Sequence, residues 1–313
     1  MKNVIENATH IEGLLYQHAL SLKTSGENSK NPGTQFINGT IDIATNDVLT
    51  NVVTIHFTYV TPKTAKGSDN ATFATLQNII NGTLCNIMEH GVDRAVKLRV
   101  DSAIGLNEFY SSRTGTEELV SVKRNEGGFV HVTQTLASDE KLRNTFKCDM
   151  VITKVVRLEA DPDRDRPESA NISGYIFDFR KALLPVTFTA VNPKAIDYFE
   201  GLNVSQKEPC FTKVWGNQIS RTVVTRRVEE SAFGEPSVTE STSTQRDFVI
   251  TGTSVEPYVW DDETTITVNE FKEALQNREV ALADIKKRQD DYNASRNGGV
   301  APAATSTATG FNF

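Results

Sequence analysis

Two stretches of this chain recur in the same order. Ile37-Asn38-Gly39-Thr40-Ile41 returns as Ile172-Ser173-Gly174-Tyr175-Ile176, and Phe57-Thr58-Tyr59-Val60-Thr61-Pro62-Lys63 returns as Phe188-Thr189-Ala190-Val191-Asn192-Pro193-Lys194. The offset is 135 residues from Ile37 to Ile172 and 131 from Phe57 to Phe188. Kept order and nearly kept spacing imply a duplicated unit of about 130 residues, a common domain size. Whatever the chain folds into must be built twice.

Within the first unit Val53, Ile55, Phe57 and Tyr59 alternate with Thr54, His56 and Thr58, and Val96, Leu98 and Val100 alternate with Lys97, Arg99 and Asp101. Period-two alternation of β-branched and aromatic residues with polar ones predicts half-buried strands. Further strand-like runs lie at 14–23, 35–44, 118–123 and 128–133, separated by turn signals such as Asn46-Asp47 and Gly127-Gly128. A short helix is predicted where Phe73, Leu76, Ile79 and Ile80 share one face. The second unit repeats the order with strands at 148–158, 171–179, 185–191, 210–224 and 246–255. Its helix lies at 193–202, with Pro193 suited to the first turn.

Strand, strand, strand, helix, strand, strand is the order of the five-stranded Greek-key OB barrel. The fold class expected is therefore mainly β: two tandem OB-fold barrels over residues 1–140 and 141–257. A pair of β-sandwich domains is the alternative. A long polar hairpin at 221–246 would join the last two strands of the second barrel. At 258–292 the chain changes character. Thr267-x-x-Glu270 is a capping box, and Val268, Phe271, Leu275, Leu282 and Ile285 recur at helical steps. This amphipathic helix to about residue 291 would pack on a barrel or on a second copy of the chain, giving a homo-oligomer through 268–291. Residues 293–313 are poor in hydrophobes and are expected to be a disordered tail.

Three scattered cysteines, Cys85, Cys148 and Cys210, form no CxxC pair, which speaks against a zinc ribbon or a disulfide framework. No apolar leader and no run of about 18 apolar residues occurs, so the expected location is the cytoplasm, without membrane contact. No GxxxxGK[ST], GxSxG or HExxH motif is present, and the 5 histidines have no ligand spacing. Asp161-Pro162-Asp163-Arg164-Asp165 resembles the start of a calcium loop but has Arg166 where glycine is needed. No catalysis, cofactor or metal is expected.

What remains is a pattern of aromatic and basic residues. In the second unit these are Phe177, Phe179, Arg180 and Lys181, then Lys213, Trp215, Arg221, Arg226 and Arg227. In the first they are Lys97, Arg99, Phe109 and Tyr110, with Arg113 nearby. Exposed aromatics stack on bases while Arg and Lys track phosphates. A net charge of −7 disfavours a protein that lives on duplex phosphate neutralisation, but a local basic groove serves a single strand.

The tandem units, the Arg-bearing hairpin and a tail ending Phe311-Asn312-Phe313 resemble OB-fold single-stranded DNA-binding proteins, in the diverged form encoded by phages and mobile elements. The resemblance covers about residues 12–256. It implies non-catalytic, largely sequence-independent binding of single-stranded DNA in replication or recombination, within a host cytoplasm if phage-encoded. It also implies capture of replication or recombination proteins by Phe311 and Phe313. One departure is that the family's tail tip is acidic, whereas 293–313 holds Arg296 and no Asp or Glu. The alternative function is a phage structural or assembly β-protein that does not bind nucleic acid.

Overall fold

Alternation in the sequence becomes alternation about a sheet. In the strand Gln35–Ala44, Ile37, Ile41 and Ile43 are buried while Asn38, Thr40 and Asp42 face outward. The computed structural model describes residues 5–111, 116–161, 167–229, 233, 237–260 and 266–298. It is mainly β, with a long C-terminal helix.

The first half runs β1 (Asn7–His18), β2 (Ser21–Thr24), β3 (Gln35–Ala44), β4 (Val52–Val60), α1 (Ala71–Ile80), α2 (Ile87–His90), β5 (Lys97–Ser111) and β6 (Glu118–Val132). β1 pairs with β3, β3 with β4, β4 with β6, β6 with β5, and β5 with β1, so the hydrogen bonds close a ring. Only the β4–β6 contact in this ring is parallel. The second half runs β7 (Asn144–Leu158), β8 (Ser169–Phe177), β9 (Leu183–Ala190), α3 (Pro193–Gly201), β10 (Cys210–Glu229) and β11 (Ser237–Thr253). It closes the same way, from β7 through β8, β9, β11 and β10 back to β7, again with one parallel contact, β9–β11. The rings are sewn together by their first strands, with Asn7 opposite Cys148 and Ile11 opposite Asn144.

Each ring holds its own core. Phe73, Leu76 and Ile79 of α1 pack with Ile11, Ile41 and Ile55, and Ile196 and Phe199 of α3 pack with Phe146, Ile172 and Phe188. Each such side chain taken from water contributes about 1.5–3 kcal/mol. The recurring Ile-x-Gly has a steric cause. A Cβ on Gly39 would lie 2.0 Å from the Ala19 carbonyl oxygen, and one on Gly174 would lie 2.0 Å from that of Val151. In both rings the second strand crosses the first too closely for any side chain.

Several expectations are corrected. The run 14–23 breaks between His18 and Ser21, and its first strand begins at Asn7. Gly127-Gly128 makes no turn: at φ of 67° and 113° the two glycines form a bulge, and β6 runs straight through. The first unit therefore has a long hairpin too, β5–β6, beside the β10–β11 hairpin expected in the second. Pro193 opens α3 under an Asn192 cap, but Pro62-Lys63 opens nothing. There the chain makes an excursion held by Lys63 and Asp69, 2.6 Å apart, and α1 starts only after Asn70, whose side chain accepts from the Thr72 N–H.

The capping box forms: the Thr267 hydroxyl accepts from the Glu270 N–H at 3.1 Å, and the Glu270 carboxylate accepts from the Thr267 N–H at 2.8 Å. The helix it opens, α4 (Val268–Gly298), outruns the expected end, so residues 293–298 are helical and not tail. Its apolar face meets its own chain. Phe271, Ala274 and Leu275 pack on Tyr175, Phe177 and Leu183, Arg278 reaches Glu108, and the Gln289 amide bonds both the N–H and the C=O of Tyr110. The first turns of the stripe thus pack on a ring of the same chain, while Leu282 and Ile285 further along stay half-buried.

Candidate nucleic-acid interface

β10 alternates cleanly across its sheet. Thr212, Val214, Gly216 and Gln218 are buried, and Lys213, Trp215, Asn217 and Ile219 point out. Trp215 is 38% exposed and lies over Gly252, its cross-strand partner, where a Cβ would come within 2.4 Å of the indole Nε1. The indole thus offers a flat face to solvent. Lys213 beside it is engaged at rest, 2.8 Å from Glu6 and 3.7 Å from Asp149. Burial works to lower its pKa, but those carboxylates hold the ammonium above its usual range.

Phe177 and Phe179 have the same parity and opposite fates. Phe177 is the last residue of β8, 2% exposed and packed edge-on against Phe211 at 6.3 Å. A stacking role for Phe177 is corrected: it is core. Phe179 lies beyond the last ladder pair and is 89% exposed, with the Arg180 guanidinium 5.0 Å over its ring. The turn is held by the Asp178 carboxylate, which accepts the N–H groups of Arg180 and Ala182 at 2.8 Å each. Lys181, in the left-handed region at φ 63°, comes within 4.0 Å of Glu270.

In the first ring Lys97 and Arg99 are exposed, as the alternation implies. Lys97 donates to the Gln134 carbonyl at 3.2 Å, and Arg99 lies 3.4 Å from Asp101. Phe109 and Tyr110 are half-buried. Gln289 bonds the Tyr110 backbone and the Lys286 ammonium sits 5.3 Å over its ring, so α4 lies against this end of β5. Arg221, Arg226 and Arg227 pair through their backbones with Gln245, Glu240 and Thr239, but their side chains lie outside the described residues. So do Arg113, the loop at 162–166, and the tail with Phe311 and Phe313. Among the described residues no three His, Cys, Asp or Glu gather as a metal site, and no helix is long and apolar enough to cross a membrane.

The sequence reading missed an aromatic pair. Phe36 on β3 and Tyr59 on β4 stand 4.6 Å apart at a tilt of 36°, and Tyr59 is 47% exposed at the edge of a cleft of about 680 Å³. Lys23 is the cross-strand partner of Phe36, and Lys63 lines the cleft with Tyr59. Lys30 and Lys66 stand exposed in the adjoining loops. Alternation assigns Tyr59 to the core beside Phe57. It escapes because the β3–β4 register slips there: Phe57 lies opposite Gly39 and Val60 opposite Ile37, and in the bulge between them both Thr58 and Tyr59 become exposed. The signal that was available was the lysine density around these aromatics.

A second cleft, of about 480 Å³, opens between the rings, with β4 and β6 on one side and β10 and β11 on the other. Its floor is the Asn125–Gln218 pair.

A family model described as YorF matches residues 6–288. No curated protein matches the chain. Among solved structures it is similar to a deletion mutant of the single-stranded DNA binding protein from Thermus aquaticus. That match has 6% identity and a TM-score of 0.46, covering 82% of this chain and 97% of that one. A likeness of that score is too loose to assign a fold.

Proposed function

This chain belongs to the YorF family, and we propose that it binds single-stranded DNA, with little dependence on sequence, across the outer face of its first ring. The observation that carries this reading is the Phe36–Tyr59 pair, an aromatic surface beside a cleft and among Lys23, Lys30 and Lys66, with Lys63 already paired to Asp69. Stacking accepts any base, and ammonium groups meet any phosphate, so such a surface binds strands without reading them.

We read each ring as an OB barrel. Both follow the strand circuit one-two-three-five-four-one with a helix between strands three and four, which supports tandem units near 1–140 and 141–257. On the second ring exposed Trp215, and Phe179 with Arg180, are the aromatics that would add stacking positions. A net charge of −7 gives no long-range attraction to a polyanion, so affinity rests on local lysines and stacking.

The test is an electrophoretic shift of oligo-dT at low and high salt. Retardation that weakens as salt rises is expected. No retardation at low salt would overturn the reading.

A further inference from the structure

We propose that the cleft between the two rings is a phosphate-binding site, with His56 and Arg124 on one wall and Arg246 on the other. The proposal rests on the strand-binding reading only for one possible source of the phosphate. All three residues line the cleft with Ser121 and Ser220, over the buried Asn125–Gln218 floor. The volume of about 480 Å³ accommodates a phosphate with its attached sugar.

Arg124 supplies the sharpest observation. Its Nη2 donates to Glu126 at 2.8 Å, but its Nε is enclosed and finds no acceptor among the described residues. The guanidinium lines the cleft with its side chain 20% exposed, so N–H groups beyond the Glu126 bond are left for an oxyanion there. Lys123, also in the wall, is committed elsewhere: its ammonium donates to the Thr187 carbonyl and sits over the rings of Phe188 and Phe248.

His56 reports on the field inside. Burial first, then Arg124 and Arg246, press its pKa below the usual range, against the opposite pull of Glu126 and Asp42. Asp247 is the carboxylate lining the cleft itself. An anion bound between the guanidiniums would cancel their effect and let the imidazole take up a proton, gaining a donor for the ligand.

The experiment follows the His56 ring signals by NMR in the isotope-labelled full chain, assigned against His56→Gln, during pH titrations without additive, with inorganic phosphate and with oligo-dT. Inorganic phosphate is expected to raise the His56 pKa. Arg246→Gln, a change at an exposed residue, is expected to weaken phosphate binding about tenfold, and Arg124→Gln to act the same way if it folds. A response to both ligands supports the site with the strand backbone as its source, and a response to phosphate alone supports it with free phosphate as its source. If neither ligand moves His56, or Arg246→Gln responds like the parent chain, the site is overturned. Oligo-dT retardation in a gel, measured alongside, tells that failure from failure of the strand-binding reading.

Discussion

The side-chain amides of Asn125 and Gln218 exchange two hydrogen bonds, at 2.8 and 2.9 Å, across the seam between the rings. Asn125 stands on β6 and Gln218 on β10, and both are buried. The Gln218 carbonyl also accepts from the amides of Asn51 and Asn144. One residue of the second ring thus meets three asparagines, two of which, Asn51 and Asn125, belong to the first.

Gln218→Ala leaves the Asn125 side-chain oxygen buried without its donor, while the Asn125 N–H keeps the Thr54 carbonyl. The expected loss is about 1–3 kcal/mol of stability, read by urea denaturation. Removing both amides, with leucine at each position, should cost less than the two single changes together. Additive losses would show that the pair does not act as a unit.

Tyr59→Ala removes half of the aromatic surface and little core. Oligo-dT affinity should fall by about 1–3 kcal/mol while the melting temperature stays nearly unchanged. An unaltered affinity in the folded variant would take Tyr59 out of the interface.

Trp215 lies where Gly252 leaves room. Gly252→Ala should lift the indole from the strand and change its fluorescence emission. If Trp215 stacks on bases, Trp215→Ala should weaken oligo-dT binding by a similar 1–3 kcal/mol, roughly. Lost stability with unchanged affinity would mark the indole as structural.

Arg278 and Glu108 form an enclosed ion pair, with side chains only 13% and 9% exposed. Arg278→Met strands the carboxylate and is expected to cost about 3–5 kcal/mol. The double variant with Glu108→Gln should regain much of that, because no buried charge is left alone. Chemical denaturation of the three variants checks it.

Burial pushes the Lys123 pKa down to about 8, with Asp247 opposing. Between about pH 8 and the unfolded lysine value near 10.4, the unfolded chain binds the proton and the folded chain does not. Stability from this group therefore rises with pH across that window, by at most about 1.4 kcal/mol per pH unit. Lys123→Met should lose the rise. A parent chain with flat stability from pH 8 to 10 would contradict it.

Much of the fold can be read from local pattern. The strand 35–44 and the helix opened by Thr267 and Glu270 lie where alternation and capping chemistry put them, because those signals act between residues close in sequence. Gly127-Gly128 misled because two left-handed glycines serve a bulge as well as a turn. The choice depends on whether β5 continues alongside, which nothing local records.

The candidate site was less legible. Parity along a strand says which side chains share a face, but not where the strand stops. Phe177 and Phe179 look equivalent in sequence and part at the end of β8, one into the core and one into solvent. Tyr110 reads as exposed, yet a helix from 179 residues further along the chain bonds its backbone through Gln289 and leaves it half-buried. The sequence alone determined the strand periodicity and the helix start, both consequences of sterics and hydrogen bonding over short spans. Which aromatics face water, and the cationic cleft between the rings, depended on contacts between residues such as Asn51 and Gln218 that are far apart in the chain and meet only once both rings have closed.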